Sequence, residues 1–272
     1  MAFNPDVLIY KKTIELEMFN PTTGALNWLI NDVKDPSLKT SADSTVATDA
    51  LGSTVATIYK AKKAQLTGSN AFFSLSLTAA QYGTSKKVAS ASAKLVTPKT
   101  EIITVGETAG TKNTTITLAQ TPYGKVAGSE IPFIYIREAN KSIGTSYAVA
   151  TVASATNFSI TGKVITLPTA TEITSDTIII VFYEYETASA ISVANNANDI
   201  PKSGVAKMSC VFADPCDISK EYFGWIVSDN AQLTPESEIA FKTDGEHAFT
   251  IDFNKAYCSN DGTLFTIIIP EE

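Results

Sequence analysis

The chain has 272 residues, of which 44% are hydrophobic and 18% charged, with a formal net charge of −7 and a pI near 4.9. This length favours two cores of ordinary domain size, with a single large β-sandwich as the alternative, and the composition excludes a wholly disordered chain. The acidic balance opposes attraction to phosphate backbones, and Arg137 is the only arginine. Both features argue against a sequence-specific nucleic-acid reader, though not against a surface that lets nucleic acid slide past.

In chain order, Ile14, Leu16 and Met18 alternate with Thr13, Glu15 and Glu17, the pattern of a strand with one buried face, and Asn20-Pro21 ends it. A second β segment is expected around Trp28 to Val33, with Trp28 in the core. The stretch from Asp32 to Asp49 is polar and lacks a pattern, and the arm through Tyr10 resembles it in this. Val55 to Leu66 favours extended structure until Gly68-Ser69-Asn70 breaks it. One helix is predicted from Ala71 to Tyr82, with Phe72, Leu75, Ala79 and Tyr82 in an apolar stripe and Gly83 as its stop.

From Thr100 to Thr187 the sequence reads as short strands with Gly and Pro turns and no helix. The strands are Glu101 to Val105, Thr114 to Leu118, Phe133 to Ile136, Tyr147 to Val152, Phe158 to Ile160, Val164 to Leu167 and Ile178 to Tyr185. Five more follow: Ala206 to Phe212, Tyr222 to Val227 with Trp225 as a core residue, Glu238 to Phe241, Ala248 to Asn254 and Leu264 to Ile269. Asp244-Gly245 and Asp261-Gly262 are placed as hairpin turns. The first and last parts lack enough elements to stand alone, so residues 1–99 and 188–272 are expected to form one discontinuous domain. Residues 100–187 are expected to form a β-sandwich inserted at a loop.

The chemistry on offer is sparse. His247, Cys210, Cys216 and Cys258 are the ligand types of a zinc site, but no Cys-x-x-Cys pair exists and single cysteines commonly act as small apolar residues. No metal or cofactor is expected, and His247 is read as a surface residue beside a turn. His247 would be the sole base for a Ser/His/Asp arrangement, and no Gly-x-Ser-x-Gly elbow is present. Glu15 with Glu17, and Glu184 with Glu186, are nominal acid–base pairs, but their i and i+2 spacing on a strand reads as a solvated or lumen-facing surface. An enzyme is therefore not expected. Lys60, Lys62 and Lys63 form the main basic cluster, with Lys86-Lys87 a smaller one. They are candidates for contact with acidic patches on a neighbouring subunit, or for lysines guarding a strand edge.

The odd cysteine count and the lack of a basic segment followed by an apolar run lead to the expectation of reduced thiols, cytoplasmic synthesis and no membrane span. Asn113-Thr114-Thr115, Asn140-Lys141-Ser142 and Asn157-Phe158-Ser159 are then chance glycosylation matches.

Thr48 through Ala64, followed by Gly68-Ser69-Asn70-Ala71, resembles the tail-tube structural proteins of tailed bacteriophages. Asp214-Pro215-Cys216-Asp217, Thr243 through Phe249, Tyr257-Cys258-Ser259 and Leu264-Phe265 add to the resemblance. The middle block, with Gln120-Thr121-Pro122-Tyr123-Gly124 and Ile165 through Thr169, looks like an immunoglobulin-like sandwich inserted in such proteins. The resemblance implies a mainly β chain with a tail-tube-type β-sandwich or barrel, one flanking α-helix and an inserted immunoglobulin-like domain. It further implies hexameric rings stacked into a tube around a lumen for passing DNA, contact with other tail proteins, and a place in the virion tail after assembly in the host cytoplasm. A surface or virion adhesin that binds carbohydrate is the alternative, favoured if aromatic platforms are exposed.

Overall fold

The computed structural model describes residues 7–124, 126–236, 238–240, 245–256 and 262–271. Cys258, most of the N-terminal arm and parts of both expected Asp-Gly turns lie outside the described residues. The chain is mainly β with one short helix and several sheets. It divides into two compact units: Met1–Lys86 with Val193–Glu272, and Lys87–Ser192.

The first unit opens with β1 (Ile9–Phe19), β2 (Leu26–Ile30), β3 (Val33–Thr48), β4 (Thr54–Asn70) and helix α1 (Leu75–Gln81). The inserted unit carries β5 (Lys87–Val88), β6 (Leu95–Thr104), β7 (Glu107–Thr108), β8 (Thr111–Lys112), β9 (Thr115–Thr117) and β10 (Phe133–Arg137). It continues with β11 (Ile143–Val149), β12 (Asn157–Thr161), β13 (Val164–Thr166), β14 (Ile178–Thr187) and β15 (Ile191–Ser192). The chain then returns to the first unit with β16 (Ser203–Ala213), β17 (Glu221–Leu233), β18 (His247–Phe253) and β19 (Thr266–Ile268).

The sheet of the first unit runs β2-β1-β16-β17-β18-β4-β3, with β19 also paired to β17. It coils enough to bring β1 against β3, near its opposite edge. Leu16 and Met18 from β1, Trp28 and Ile30 from β2, Leu66 from β4, Met208 and Cys210 from β16 and Ile251 from β18 fill one core beneath Leu77 of α1. Burial of each large side chain of this kind contributes roughly 1.5–3 kcal/mol. A bulge between Thr13 and Glu15 resets the alternation of β1, so the hydroxyl of Thr13 approaches the buried Cys210 sulfur at 3.8 Å and Ile14 stays half-buried.

The expected helix is shorter than its apolar stripe suggested. Ser74 caps it, its hydroxyl accepting the Leu77 N–H at 3.3 Å, while Asn70 Oδ1 accepts the Phe72 N–H at 3.2 Å in a local turn. Phe72 and Phe73 therefore precede the helix and remain exposed. The stop lies where expected: Thr84 N–H reaches Ala79 C=O at 2.9 Å, Gly83 N–H reaches Ala80 C=O at 3.1 Å, and Gly83 takes φ +69°. Glu238 to Phe241 contributes only the isolated bridge Ile239↔His247 among its described residues. Trp225, expected in the core, lies half-buried on the outer face of β17.

In the inserted unit the order is β6-β14-β10-β11-β12-β13-β9, antiparallel except for the parallel β11–β12 pair. Ile134, Tyr147, Phe158, Ile165, Ile179 and Val181 build its core. Tyr183 donates to the Glu101 carboxylate, and Gln120 N–H donates to the Tyr183 hydroxyl at 3.2 Å. Burial, and then this carboxylate, push the Tyr183 phenol up to about 12. Burial alone would raise the Glu101 carboxyl, but donation from Tyr183, the Ala119 N–H and Lys99 outweighs it and lowers the carboxyl below its ordinary range.

The boundary expected at residues 99 and 188 is corrected outward. β6 begins at Leu95 and pairs through Leu95↔Thr187, and β5 meets β15 through Lys87↔Ser192, so the two crossings of the chain lie side by side at a two-stranded neck. Removing residues 87–192 and joining Lys86 to Val193 by a short Gly/Ser linker should leave a cooperatively melting protein. Removing only 100–187 should broaden or lower the melt, because Leu95 to Lys99 then lose their partner strand. Circular-dichroism melts of the two deletions check this.

Candidate functional site

The outstanding surface feature of the first unit is the far half of the β3–β4 hairpin. Pairing continues from Thr40↔Ala64 through Thr45↔Ile58 to Thr48↔Thr54. Every residue from 39 to 63 is exposed. At about 3.3 Å per residue this ribbon reaches roughly 30 Å beyond the core. Its sequence explains why it is extended: Thr45, Val46, Thr54, Val55, Thr57, Ile58 and Tyr59 are β-branched or aromatic. The tip is tied by Asp49, whose Oδ1 accepts the N–H groups of Leu51 at 2.9 Å and Ser53 at 2.8 Å, with Gly52 at φ +84°. Leu51 sits at that tip, 92% exposed, and Val55, Ile58 and Tyr59 are 69%, 60% and 72% exposed. The polar stretch from Asp32 to Asp49, expected to be patternless loop, is thus largely one strand of the ribbon. Neither face of its outer half, residues 39–48, is buried in the single chain, so no hydrophobic alternation marks it there.

Lys60, Lys62 and Lys63 all lie on this ribbon and are exposed. Ala61, at φ +51°, forms a bulge between the pairs Ser41↔Lys63 and Asp43↔Lys60. Lys63 meets Asp43 at 3.4 Å, an exposed pair that adds little stability. Lys86 donates instead to Ser76 Oγ at 3.1 Å.

The other sequence candidates are dispersed. Cys210 is buried, Cys216 is exposed, and no group of three His, Cys, Asp or Glu side chains is placed to hold a metal ion among the described residues. Burial raises the Cys210 thiol, with Thr13 opposing. Glu15 and Glu17 share a half-buried face of β1, where burial raises the Glu17 carboxyl, Glu15 adds to the rise and Lys207 opposes it. Glu184 and Glu186 are exposed on β14. A cleft of about 730 Å³ beside α1 is lined by Trp28, Met18 and Leu233 with Lys86, Lys202 and Asp199. Among the described residues its lining contains no His, Cys or Glu, and Asn196 Nδ2 holds Asp199 at 2.7 Å. No helix among the described residues is long and apolar enough to cross a membrane.

His247 is not on the surface. It is 1% exposed, stacked near Phe73, with Nε2 2.7 Å from Gln81 Oε1. Gln81 donates its amide to Ala248 C=O at 2.9 Å, so Oε1 is its acceptor and His247 Nε2 carries the proton. Nδ1 is then a buried acceptor with no hydrogen-bond partner among the described residues. Burial holds the imidazole below its ordinary 6.5. The folded chain disfavours the proton, so this site leaves stability intact above about pH 6.5 and subtracts from it as pH falls below that value. The melting temperature should drop more steeply from pH 7 to pH 5 in the wild type than in His247→Gln, which keeps a donor toward Gln81 and does not titrate. Parallel slopes would contradict this.

Comparison with protein-family models and with curated proteins finds no match for the chain.

Proposed function

We propose that the chain is a structural subunit of a bacteriophage tail tube, with a tail-tube-type first unit and an immunoglobulin-like insert. Its copies associate into hexameric rings stacked around a lumen for DNA, and no residue performs chemistry. The observation that carries this reading is the ribbon of residues 39–63. A two-stranded ribbon is only marginally stable in water, and this one displays Val46, Leu51, Val55, Ile58 and Tyr59 without cover from its own chain. Such a segment is suited to be covered by neighbouring copies.

Other features support assembly. The sheet of the first unit ends in β2 on one side and β3 on the other, edges that a closed ring of subunits would pair. The net charge of −7 suits a wall that does not retain DNA. Lys60, Lys62 and Lys63 on the ribbon would meet acidic neighbours. Electron microscopy of the purified chain at high concentration tests the reading: rings or tubes are expected, and monodisperse monomers under all conditions would overturn it.

A further inference from the structure

We propose that the outer face of the β6-β14-β10-β11 sheet in the inserted unit is a self-complementary interface, on which a second copy of the chain packs face to face about a two-fold axis. The proposal does not rest on the tail-tube reading.

Strand β14 reads Ile178-Ile179-Ile180-Val181-Phe182-Tyr183, a continuous apolar run of the kind found in strands covered on both faces. Ile179, Val181 and Tyr183 fill the core of the unit. The alternate residues turn to the opposite face, where Ile180 lies between Ile102 and Tyr135 in the ladder. There Phe133, Tyr135 and Phe182 form a row, with ring centroids 6.4 Å and 5.8 Å apart. Phe133, Phe182 and Ile102 are 44%, 45% and 54% exposed. This is the residue mix of a protein interface centre.

The charges at its ends identify the occupant. Arg137 pairs across to Ile178 at one end of the row, and Glu184 lies six residues further along β14 at the other, about 20 Å away. Neither takes part in an ion pair among the described residues. A partner carrying one sign of charge would satisfy one end and leave the other unmatched. A second copy, turned by a two-fold axis that runs across the strands between the two faces, places each Arg137 over the other copy's Glu184. The aromatic row then meets its own image at the centre. The strand crossing this requires is the roughly 30° of aligned sheet packing.

The test uses the full chain carrying V55D/I58D, which removes ribbon-driven association. Sedimentation equilibrium should show a monomer–dimer equilibrium. R137E or E184R alone should weaken it about 100-fold, because each creates two like-charge contacts, and R137E/E184R together should restore it. A strictly monomeric parent overturns the proposal, as does a double variant no better than the single ones. Glycan-array binding lost in Phe182→Ala, without self-association, would reassign the face to saccharide and also overturn it. Charge-swap rescue in the V55D/I58D background, together with a wild-type chain that never forms rings, would sink the tube reading and uphold this one.

Discussion

The substitution pair V55D/I58D should abolish higher assembly while leaving the subunit folded. In the single chain both side chains face water, so exchanging them for aspartate is expected to shift the folding free energy by no more than about 0.5 kcal/mol each. If neighbouring copies cover the ribbon, each apolar side chain contributes roughly 1.5–3 kcal/mol per subunit on association, and a buried unpaired carboxylate adds a further penalty. Those terms multiply around a ring, so loss of rings and tubes should be complete at concentrations where the wild type assembles. Electron micrographs, read beside an unchanged thermal melt, decide the matter. A V55D/I58D protein that assembles like wild type would remove the ribbon from the mechanism.

Gly83→Ala should be the most damaging single methyl added to the first unit. A Cβ built there lies 2.2 Å from the carbonyl oxygen of Ile200 and 2.6 Å from its nitrogen, both backbone atoms that cannot rotate away. Gly24 supplies the control, because it has nearly the same φ, +68° against +69°, with nothing within 4 Å of its built Cβ. Gly24→Ala should cost about 1 kcal/mol for the left-handed backbone alone. Gly83→Ala should cost about 3 kcal/mol or more, since the segment around Ile200 must also shift. Denaturant titrations of the two variants separate the contributions, and equal losses would mean that the approach of Ile200 is not tight in solution.

The residues that announced themselves in sequence were those with one buried face or a special backbone. Leu16 and Met18 alternated with Glu15 and Glu17, the Ile178 to Tyr183 run read as a strand, and Gly83 marked the helix stop. Residues whose environment is set by distant parts of the chain stayed hidden. His247 sits among glycine and acidic neighbours typical of a turn, yet it is enclosed by Gln81 and Phe73, more than 160 positions away. The Val33 to Thr48 strand carried no alternation because neither face of its outer half is buried within the chain. Trp225 looked like core because it is tryptophan, but β17 turns it to the outer face. Lys60, Lys62 and Lys63 were visible as a cluster on an expected strand, while the partner strand that makes it a ribbon was not.

The neck at Lys87↔Ser192 also sets an order of events during synthesis. Thr13 of β1 pairs with Cys210 of β16, so the first unit cannot close its sheet until the inserted unit has left the ribosome. That interval covers about a hundred residues, on the order of 5–20 s of translation. The β3–β4 hairpin and the inserted unit draw on nearby partners and can form within it, whereas β1 and β2 must wait with their apolar faces open. Shortening the insert would therefore shorten the time for which the nascent chain is exposed, and slowing translation through it should lower the yield of soluble protein.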